Sequence, residues 1–332
     1  MNDMPEVTVV IATKDRPQKL ARLLASVRSQ DFAGFECIVV DDGSSGETRA
    51  EYERVWRDLD GRFTLLLRES SGGPSKSRND GIRAARGRYV ALCDDDDYWM
   101  EPDHLSTAVR AMNAAGAELY FSDMQTCVDG VIRDPSWYAV LDHVRKRRPV
   151  DGEADVFPLG EKDLANLLKF RILHANTLVV ARDLFNRIGC YWEKISFAED
   201  HDISFRLADA ARGILFRNMV TATQDLTPHA SIFATYVQRE RNLFGIMAVH
   251  NAQLAISSPM LRKVCRGNRA WRMIELADVN LEGGNIDAAR ELALEACLLR
   301  PSKSSLLMLL KVTRRSLFAR RPGGSRNAPP PS

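Results

Sequence analysis

The sequence predicts an α/β fold, with a doubly wound, mostly parallel sheet followed by a C-terminal α-helical extension. Three observations support this prediction. Short, β-branched apolar runs alternate with longer amphipathic segments over residues 1–122, the alternation becomes irregular after residue 123, and helical patterns dominate from about residue 232. Near-continuous apolar strands that alternate with helices are typical of a parallel sheet covered on both faces.

Each element is predicted from its own residue pattern. Apolar runs predict strands at 7–12, 36–41, 63–68, 88–93 and 117–122. Helical periodicity predicts helices at about 17–29, 46–59, 75–86 and 102–115. After an irregular, substrate-facing insertion at 124–160, we expect a helix near 161–170, a strand near 176–181, a helix at 199–212 and a strand at 214–219.

The C-terminal region contains a predicted helix pair at about 270–312 that resembles a single tetratricopeptide-type repeat. Gly283 and Gly284 break the pair, Asp287 can cap the second helix, and Pro301 follows its end. A lone repeat needs neighbours to bury its apolar face, so we expect it to pack on the preceding body rather than form a free partner-binding array. The predicted domains are 1–230 (α/β), 231–320 (helical) and 321–332 (a flexible tail).

Charge and cysteine content exclude several classes of protein. The 332 residues carry 46 basic and 44 acidic side chains, and a net charge of +2 argues against a nucleic-acid-binding protein. The six cysteines are scattered without a CxxC pair, as expected of reduced core thiols rather than a disulfide framework or zinc site. The sequence shows no basic leader and no run near the ~18 apolar residues of a membrane span. These features predict a cytoplasmic protein.

Basic residues are concentrated near the C-terminus. Residues 301–332 hold seven cations and no acid, and the leucine-rich stretch 306–310 precedes most of these cations. One interpretation is a segment that rests on an anionic membrane, which would place the protein peripherally at the inner membrane surface. The other is a final helix buried in the C-terminal bundle, followed by a solvated basic tail.

Polar residues follow the predicted strands at the edge where open α/β sheets bind ligands. Thr13 and Asp15 follow the first strand and Asp41 ends the second. We expect Asp41 to accept a hydrogen bond from a uracil-type base or a ribose hydroxyl, while Asp42 and Ser44 cap the following helix. The P-loop and GxGxxG patterns are absent, which argues against a Walker ATPase and a dinucleotide dehydrogenase.

Four consecutive aspartates, Asp94 to Asp97, follow the fourth strand and predict a divalent cation. Carboxylates a few Å apart repel one another and raise each other's pKa unless a counter-charge is present. Oxygen ligands suit Mg²⁺ or Mn²⁺. In extended geometry Asp94 and Asp96 face the same side, so one can reach a ribose while the other binds metal. The alternative is a solvated acidic turn, which agrees less well with a run that ends an apolar strand.

Four motifs stand in a fixed order along the chain: VTVVIATKDRPQKL, ECIVVDDGSSGET, GGPSKSRNDGIRAARGRYVALCDDDDYWMEPDHL and FAEDHDISFRLA. Together they resemble the family 2 glycosyltransferases with the GT-A fold, closely over residues 5–125 and more loosely over 170–230. The resemblance implies an inverting, metal-dependent enzyme that uses a nucleotide-diphosphate sugar, and it favours a UDP-sugar as the donor. It also implies a glycan or lipid-linked acceptor and a role in cell-surface polysaccharide synthesis.

The resemblance implies roles for individual residues. Those that match the family's nucleotide-sugar contacts are Thr13, Asp15, Asp41, Arg78 and Asp94. Those that match its metal ligands are Asp96, Asp94 and His229. Glu199 and Asp200 match the family's ED pair, which makes Asp200 the implied catalytic base.

The chemistry of an inverting transfer agrees with this assignment. It needs one carboxylate to take the acceptor's proton and positive charge to stabilise the leaving diphosphate. A helix N-terminus favours the ionised form of Asp200, although ordinary N-terminal helix charge is the alternative for Glu199 and Asp200.

Two departures from the family pattern and two other functions stay open. The QxxRW motif of processive synthases is missing, and DDDD replaces the more usual DxDD, so that Asp95 either strengthens metal binding or points away. One other function is a sugar-phosphate nucleotidyltransferase. Such enzymes carry a glycine- and arginine-rich loop after the first strand, and ATKDRP matches that loop poorly. The second is a non-catalytic scaffold with a degenerate α/β domain.

Overall fold

The computed structural model describes residues 4–227 and 236–319, and within them a ten-stranded sheet organises the fold. The strands are β1 (Val7–Thr13), β2 (Phe35–Asp41), β3 (Phe63–Leu67), β4 (Tyr89–Asp94), β5 (Tyr98–Trp99), β6 (Leu119–Val128), β7 (Val131–Asp134), β8 (Val156–Pro158), β9 (Leu178–Ala181) and β10 (Ile214–Asp225). Their order is β3-β2-β1-β4-β9-β6-β10-β5, with β7 beside β6 and β8 beside β10.

The sheet is mixed but mostly parallel along its main path. β3, β2, β1 and β4 run parallel to one another, as do β6 and β10. The short strand β9 lies antiparallel between β4 and β6 and joins the two parallel sets. The predicted α/β class with a C-terminal helical extension is confirmed.

Helices cover both faces of the sheet and form the C-terminal region. They are α1 (Pro17–Arg28), α2 (Gly46–Trp56), α3 (Pro74–Ala84), α4 (His104–Ala115), α5 (Glu161–Leu167), α6 (Arg182–Ile188), α7 (Glu199–Ala210), α8 (Gln238–Ala255), α9 (Pro259–Glu282), α10 (Ile286–Leu299) and α11 (Lys303–Ala319). Alternate residues of β1 explain the two layers, because Val10 packs into the hydrophobic cluster on one face and Val9 and Ile11 into the cluster on the other.

The region 124–160 is more regular than the sequence predicts. β6 continues to Val128 and turns back as β7, a 3-10 helix covers Ala139–Lys146, and β8 pairs with β10. β10 itself extends to Asp225, six residues beyond the predicted strand end at 219. β8 and the extension of β10 form through pairing with strands distant in the chain, which a local pattern does not reveal.

The C-terminal helices are joined to the α/β body through its core. Val249 of α8 and Val264 of α9 belong to the same hydrophobic cluster as Phe121 of β6. The end of α9, α10 and α11 form a smaller cluster of their own. No helix within the described ranges is both long and apolar enough to cross a bilayer.

The predicted break between the last helices is present, but its cap differs from the prediction. α9 ends at Glu282, and Gly284 adopts a φ of 80° before α10 begins. Asn285, rather than Asp287, caps α10, because the Asn285 side chain accepts a hydrogen bond from the backbone N–H of Ala288 at 3.3 Å. Asp287 lies inside the first turn.

Candidate active site

The carboxyl ends of three neighbouring parallel strands form one edge of the candidate site. In the sheet register Thr13 of β1 lies opposite Asp41 of β2, and Ala12 lies opposite Asp94 of β4. Polar residues that follow these strands therefore converge on the same edge, where ligands of open α/β sheets bind.

Asp15 links the loop after β1 to the start of α2. Its backbone has a φ of 53°, and its carboxylate accepts hydrogen bonds from the Ser45 N–H at 2.9 Å and the Thr48 hydroxyl at 3.1 Å. The hydrogen bond from Ser45 lowers the pKa of Asp15. The carboxylate is thus ionised and held beside the end of β2.

Asp41 and Thr13 are both buried within hydrogen-bonding networks. Asp41 accepts hydrogen bonds from the backbone N–H of Ser44 and from Arg49 Nε, each at 3.1 Å. Thr13 donates its hydroxyl to Asp95 at 2.8 Å and lies 3.3 Å from the Tyr52 hydroxyl. Both residues are held in fixed orientations by groups of the protein.

Asp42 does not cap α2, contrary to the prediction. Its carboxylate accepts hydrogen bonds from the backbone N–H groups of Gly72 and Gly73 and from the hydroxyls of Ser71 and Ser77, at distances of 2.5–3.0 Å. The residue therefore fixes the loop that leads into α3. No local pattern distinguishes this role from helix capping, since both suit an aspartate in a turn.

Ser44 is not the cap of α2 either. Ser45 caps that helix by accepting the Thr48 N–H at 3.2 Å. The Ser44 hydroxyl instead accepts the Asp15 N–H at 2.8 Å.

The four consecutive aspartates form a turn rather than the extended strand that the prediction assumed. β4 ends at Asp94, and the Asp97 N–H donates to the Asp94 carbonyl at 3.1 Å. The side chains then diverge. Asp95 and Asp96 both accept from Arg16, at 2.9 and 3.0 Å, whereas Asp94 contacts Arg78.

The turn divides into accessible and buried carboxylates. The side chains of Asp94 and Asp96 are 26% and 23% exposed, whereas Asp95 and Asp97 are buried. Burial raises the pKa of Asp95 to about 6 despite the opposing charge of Arg16, and burial together with Asp96 and Asp94 raises that of Asp97 well above its ordinary value. Burial also opposes ionisation of Asp94, yet Arg78 and His174 hold its pKa below the ordinary value.

Arg78 connects the acidic turn to the first residues of α7. This buried side chain on α3 donates to Asp94 Oδ1 at 2.6 Å and to Glu199 Oε1 at 2.8 Å. Its guanidinium carbon lies 5.3 Å from the centre of the Tyr191 ring, within the range of a cation–π contact. A single cation thereby compensates two carboxylates that are distant in sequence.

Glu199 and Asp200 are the first two residues of α7, and the residue before them has an uncommon backbone. Ala198 adopts a φ of 63°, which a non-glycine residue rarely does. Glu199 is buried against Arg78, whereas Asp200 is partly exposed and accepts the His201 N–H at 2.8 Å. Burial raises the pKa of Asp200, although His174 and Arg78 act in the opposite direction.

His174 is a member of the site that the sequence does not predict. Its Nε2 lies 2.8 Å from Gln224 Nε2 and its Nδ1 lies 2.9 Å from Asn176 Oδ1, so Nδ1 carries the proton when the amides are oriented in this way. Ligand atoms of Asp94, Asp97 and His174 lie within 4.8 Å of one another, which makes them a second group able to hold a cation. The predicted His229 lies outside the described residues.

Comparisons with known proteins agree with this architecture. The model of the family described as Glycosyl transferase family 2 matches residues 8–154. The succinoglycan biosynthesis protein ExoO of Rhizobium meliloti is 34% identical over 119 residues, which cover 36% of this chain and 33% of that protein.

A second relative is named for the reaction it catalyses. The GalNAc(5)-diNAcBac-PP-undecaprenol beta-1,3-glucosyltransferase of Campylobacter jejuni is 32% identical over 117 residues, covering 35% of this chain and 38% of that protein. The chain thus spans about a third of the length of these two relatives.

A solved structure resembles nearly the whole chain. It is that of S. aureus TarS 1-349 in complex with UDP-GlcNAc, with a TM-score of 0.64, 18% identity, and coverage of 95% of this chain and 92% of that one. At this identity the likeness establishes the fold. The family match assigns residues 8–154 to glycosyl transferase family 2, and the solved structure shows the same fold over nearly the whole chain.

Proposed function

We propose that this chain is an inverting, metal-dependent glycosyltransferase that moves a sugar from a nucleotide-diphosphate sugar, most simply a UDP-sugar, to a hydroxyl of a glycan or lipid-linked acceptor. The observation that carries the proposal is the Arg78 bridge, which joins the acidic turn to the start of α7 and so sets Asp200 beside the same edge of the sheet. The proposed catalytic domain is 1–230, followed by the helical region 231–320 and the tail 321–332.

The names of similar proteins support the substrate classes. The Campylobacter jejuni relative is named for transfer to an undecaprenol-linked sugar, and the Rhizobium meliloti relative for succinoglycan biosynthesis. The TarS structure holds UDP-GlcNAc. We therefore place the proposed reaction in cell-surface polysaccharide synthesis, with a UDP-sugar as the first donor to test.

Asp200 is the proposed general base, with Glu199 as its buried neighbour. Glu199 is occupied by Arg78, whereas the Asp200 carboxylate is the more exposed of the two and can reach an acceptor hydroxyl. Burial raises the pKa of Asp200, which makes the carboxylate a stronger base. Because the base must be ionised, turnover should fall as the pH is lowered through this raised pKa.

The acidic turn fits a divalent cation, either Mn²⁺ or Mg²⁺. Asp94 and Asp96 are the accessible carboxylates of the turn, and carboxylate oxygen is the ligand these ions prefer. Asp96 is the proposed direct ligand, and Asp94 shares its charge with Arg78. The bound ion would supply positive charge for the leaving diphosphate. His229, the third metal ligand that the resemblance implies, lies outside the described residues.

Thr13, Asp15 and Asp41 are the proposed base and ribose contacts, together with Asp94 and Arg78. Asp41 is held by Ser44 and Arg49, and Asp15 by Ser45 and Thr48, so their orientations are set before a donor arrives. Preorganised groups bind a ligand with less loss of side-chain entropy than mobile ones.

The experiment that tests the proposal measures nucleoside diphosphate release and donor binding for UDP-, GDP- and dTDP-sugars, with and without Mn²⁺. Wild type is compared with Asp96→Ala and Asp200→Asn, and with Asp183→Asn as a matched control for loss of an exposed helix carboxylate. We expect one donor class to give Mn²⁺-dependent release. Asp200→Asn should lower turnover about 10²- to 10⁴-fold while donor binding changes less than about twofold.

Each assignment can fail separately. Near-normal turnover of Asp200→Asn would remove the base assignment, and Mn²⁺-dependent binding unchanged in Asp96→Ala would remove the metal assignment. If none of these donor sugars is turned over or bound, the result would instead support a non-catalytic scaffold.

A further inference from the structure

We propose that the outer face of α11 binds the surface of an anionic phospholipid bilayer. We define this face by four leucines, whose residues are 53–67% exposed: Leu306, Leu307, Leu310 and Leu317. At 3.6 residues per turn these positions lie within about 100° of arc on one side of the helix, and we call them the leucine stripe. Lys303 and Arg314 fall within the same arc.

The stripe is distinct from the face that α11 uses for packing. Ser305, Met308 and Val312 are buried, and the last two belong to the small cluster formed with Ala277 of α9 and Ala293 of α10. α11 is therefore docked on the bundle by the side that carries these residues, and the four exposed leucines lie on the other side. The leucine stripe is available for another surface.

The charge of α11 indicates which surface this is. Its residues include no acid, and its four cations, Lys303, Lys311, Arg314 and Arg315, are all exposed. Lys311 also pairs with Asp278. Arg320, Arg321 and Arg326 follow in the sequence, again without an acid. Leucines flanked only by cations match the headgroup region of an anionic bilayer, in which apolar side chains enter the interface and Lys and Arg contact the lipid phosphates.

The dimensions of α11 favour a position in the plane of the interface. Its 17 residues span about 25 Å, and its cations lie beside the leucines along its length. A second copy of this chain is a less suitable occupant, because two identical faces would bring the same cations against each other. Membrane contact of this kind also suits a lipid-linked acceptor, but it does not depend on the proposed transferase activity.

The test is vesicle co-sedimentation of the full chain, without donor or metal. Vesicles of phosphatidylcholine alone are compared with vesicles that also contain phosphatidylglycerol, at low salt and at 0.5 M NaCl. We expect partitioning to be at least tenfold stronger on the anionic vesicles and to weaken at high salt. Lys303→Gln with Arg315→Gln should lower it by roughly fivefold for each cation removed.

A pair of double variants separates the stripe from exposed leucines in general. Leu306→Ser with Leu310→Ser should lower binding about tenfold, whereas Leu254→Ser with Leu298→Ser, at residues 70% and 84% exposed on α8 and α10, should change it less than twofold. Thermal melting of each variant verifies folding.

Equal pelleting of the two double variants would overturn the proposal, as would no binding or binding independent of phosphatidylglycerol. A wild-type dimer in light scattering that Leu306→Ser with Leu310→Ser dissociates, without vesicle binding, would assign the stripe to a second copy. None of these readouts requires donor turnover, so failure here is distinguishable from failure of the proposed transferase.

Discussion

The guanidinium of Arg78 donates to Glu199 Oε1 at 2.8 Å, across 121 positions of sequence, and this ion pair joins α3 to the start of α7. The same guanidinium contacts Asp94 at the end of β4. Arg78 and Glu199 are each 11% exposed in their side chains, so water provides little alternative solvation. The pair thus sets the position of the first turn of α7 relative to the acidic turn.

Arg78→Gln should strongly destabilise the fold. It would leave Asp94 and Glu199 without their cation, and removal of one partner of a buried ion pair typically costs about 3–5 kcal/mol. Urea unfolding measures this loss. Arg83→Gln on the same helix is the matched control: Arg83 is 59% exposed, and its pairs with Asp80 and Glu193 should contribute about 1 kcal/mol or less. Equal losses for the two variants would show that the bridge has no special role.

Asp42→Ala should also destabilise the fold, by about 2–4 kcal/mol. The variant removes one acceptor from the N–H groups of Gly72 and Gly73 and from two serine hydroxyls, and partly buried donors without acceptors are costly. Urea unfolding of this variant is compared with that of Asp60→Ala. Asp60 is half exposed and bonds the local Arg62, so its removal should cost less than about 1 kcal/mol. A small effect at Asp42 would contradict its role in holding the loop before α3.

The sequence predicts the strand ends of this site better than it predicts the contacts between them. Apolar runs end where β1, β2 and β4 end, so the positions of Thr13, Asp41 and Asp94 follow from periodicity and from parallel topology. The role of Asp42 and the presence of His174 in the site could not be predicted in this way. The partners of Asp42 lie 29–35 positions away, and His174 meets Gln224 across 50 positions.

The acidic run shows a similar limit. A strand pattern predicts alternate directions for successive side chains, but the Asp97 N–H closes a turn on the Asp94 carbonyl. Three cations of the α1 region also face this turn: Arg16 pairs with Asp95 and Asp96, Lys19 lies 4.0 Å from Asp96, and Arg22 donates to the Asp96 carbonyl. Only the folded chain brings these charges together.

Arg16→Gln should raise the affinity for Mn²⁺ in the absence of donor. Arg16 contacts Asp96, the proposed metal ligand, at 3.0 Å. A divalent cation that binds this carboxylate must displace the Arg16 guanidinium or bind beside its positive charge. We expect about a tenfold increase in affinity, equivalent to about 1.4 kcal/mol. Electron paramagnetic resonance of free Mn²⁺ measures the change directly.

Lys14→Gln controls for the loss of one positive charge in the same loop. Lys14 is exposed two residues before Arg16, and its removal should change Mn²⁺ affinity less than threefold. A lower affinity in Arg16→Gln would reverse our interpretation, because Arg16 would then be orienting Asp96 for the metal rather than competing with it.

Asp95→Asn should change how stability depends on pH. Burial raises the pKa of Asp95 to about 6, above its ordinary value of 3.8. Between these two values the unfolded chain releases the proton while the folded chain retains it, so wild type loses stability as the pH rises from about 4 to 6 and loses no more above that. The asparagine variant lacks this titration. We measure this by urea unfolding in EDTA from pH 4 to 7. Over this range the unfolding free energy of the variant should rise by about 1–3 kcal/mol relative to that of wild type.

The pH window separates this prediction for Asp95 from a simple change in packing. Loss of a contact to Thr13 or Arg16 shifts the unfolding free energy equally at every pH, whereas loss of the titration changes its slope only below about pH 6. Asp183→Asn removes an exposed carboxylate and should leave the slope unchanged. If wild type and Asp95→Asn differ by a constant amount from pH 4 to 7, the Asp95 carboxylate is ionised throughout, and the pairing with Arg16 outweighs the cost of its burial.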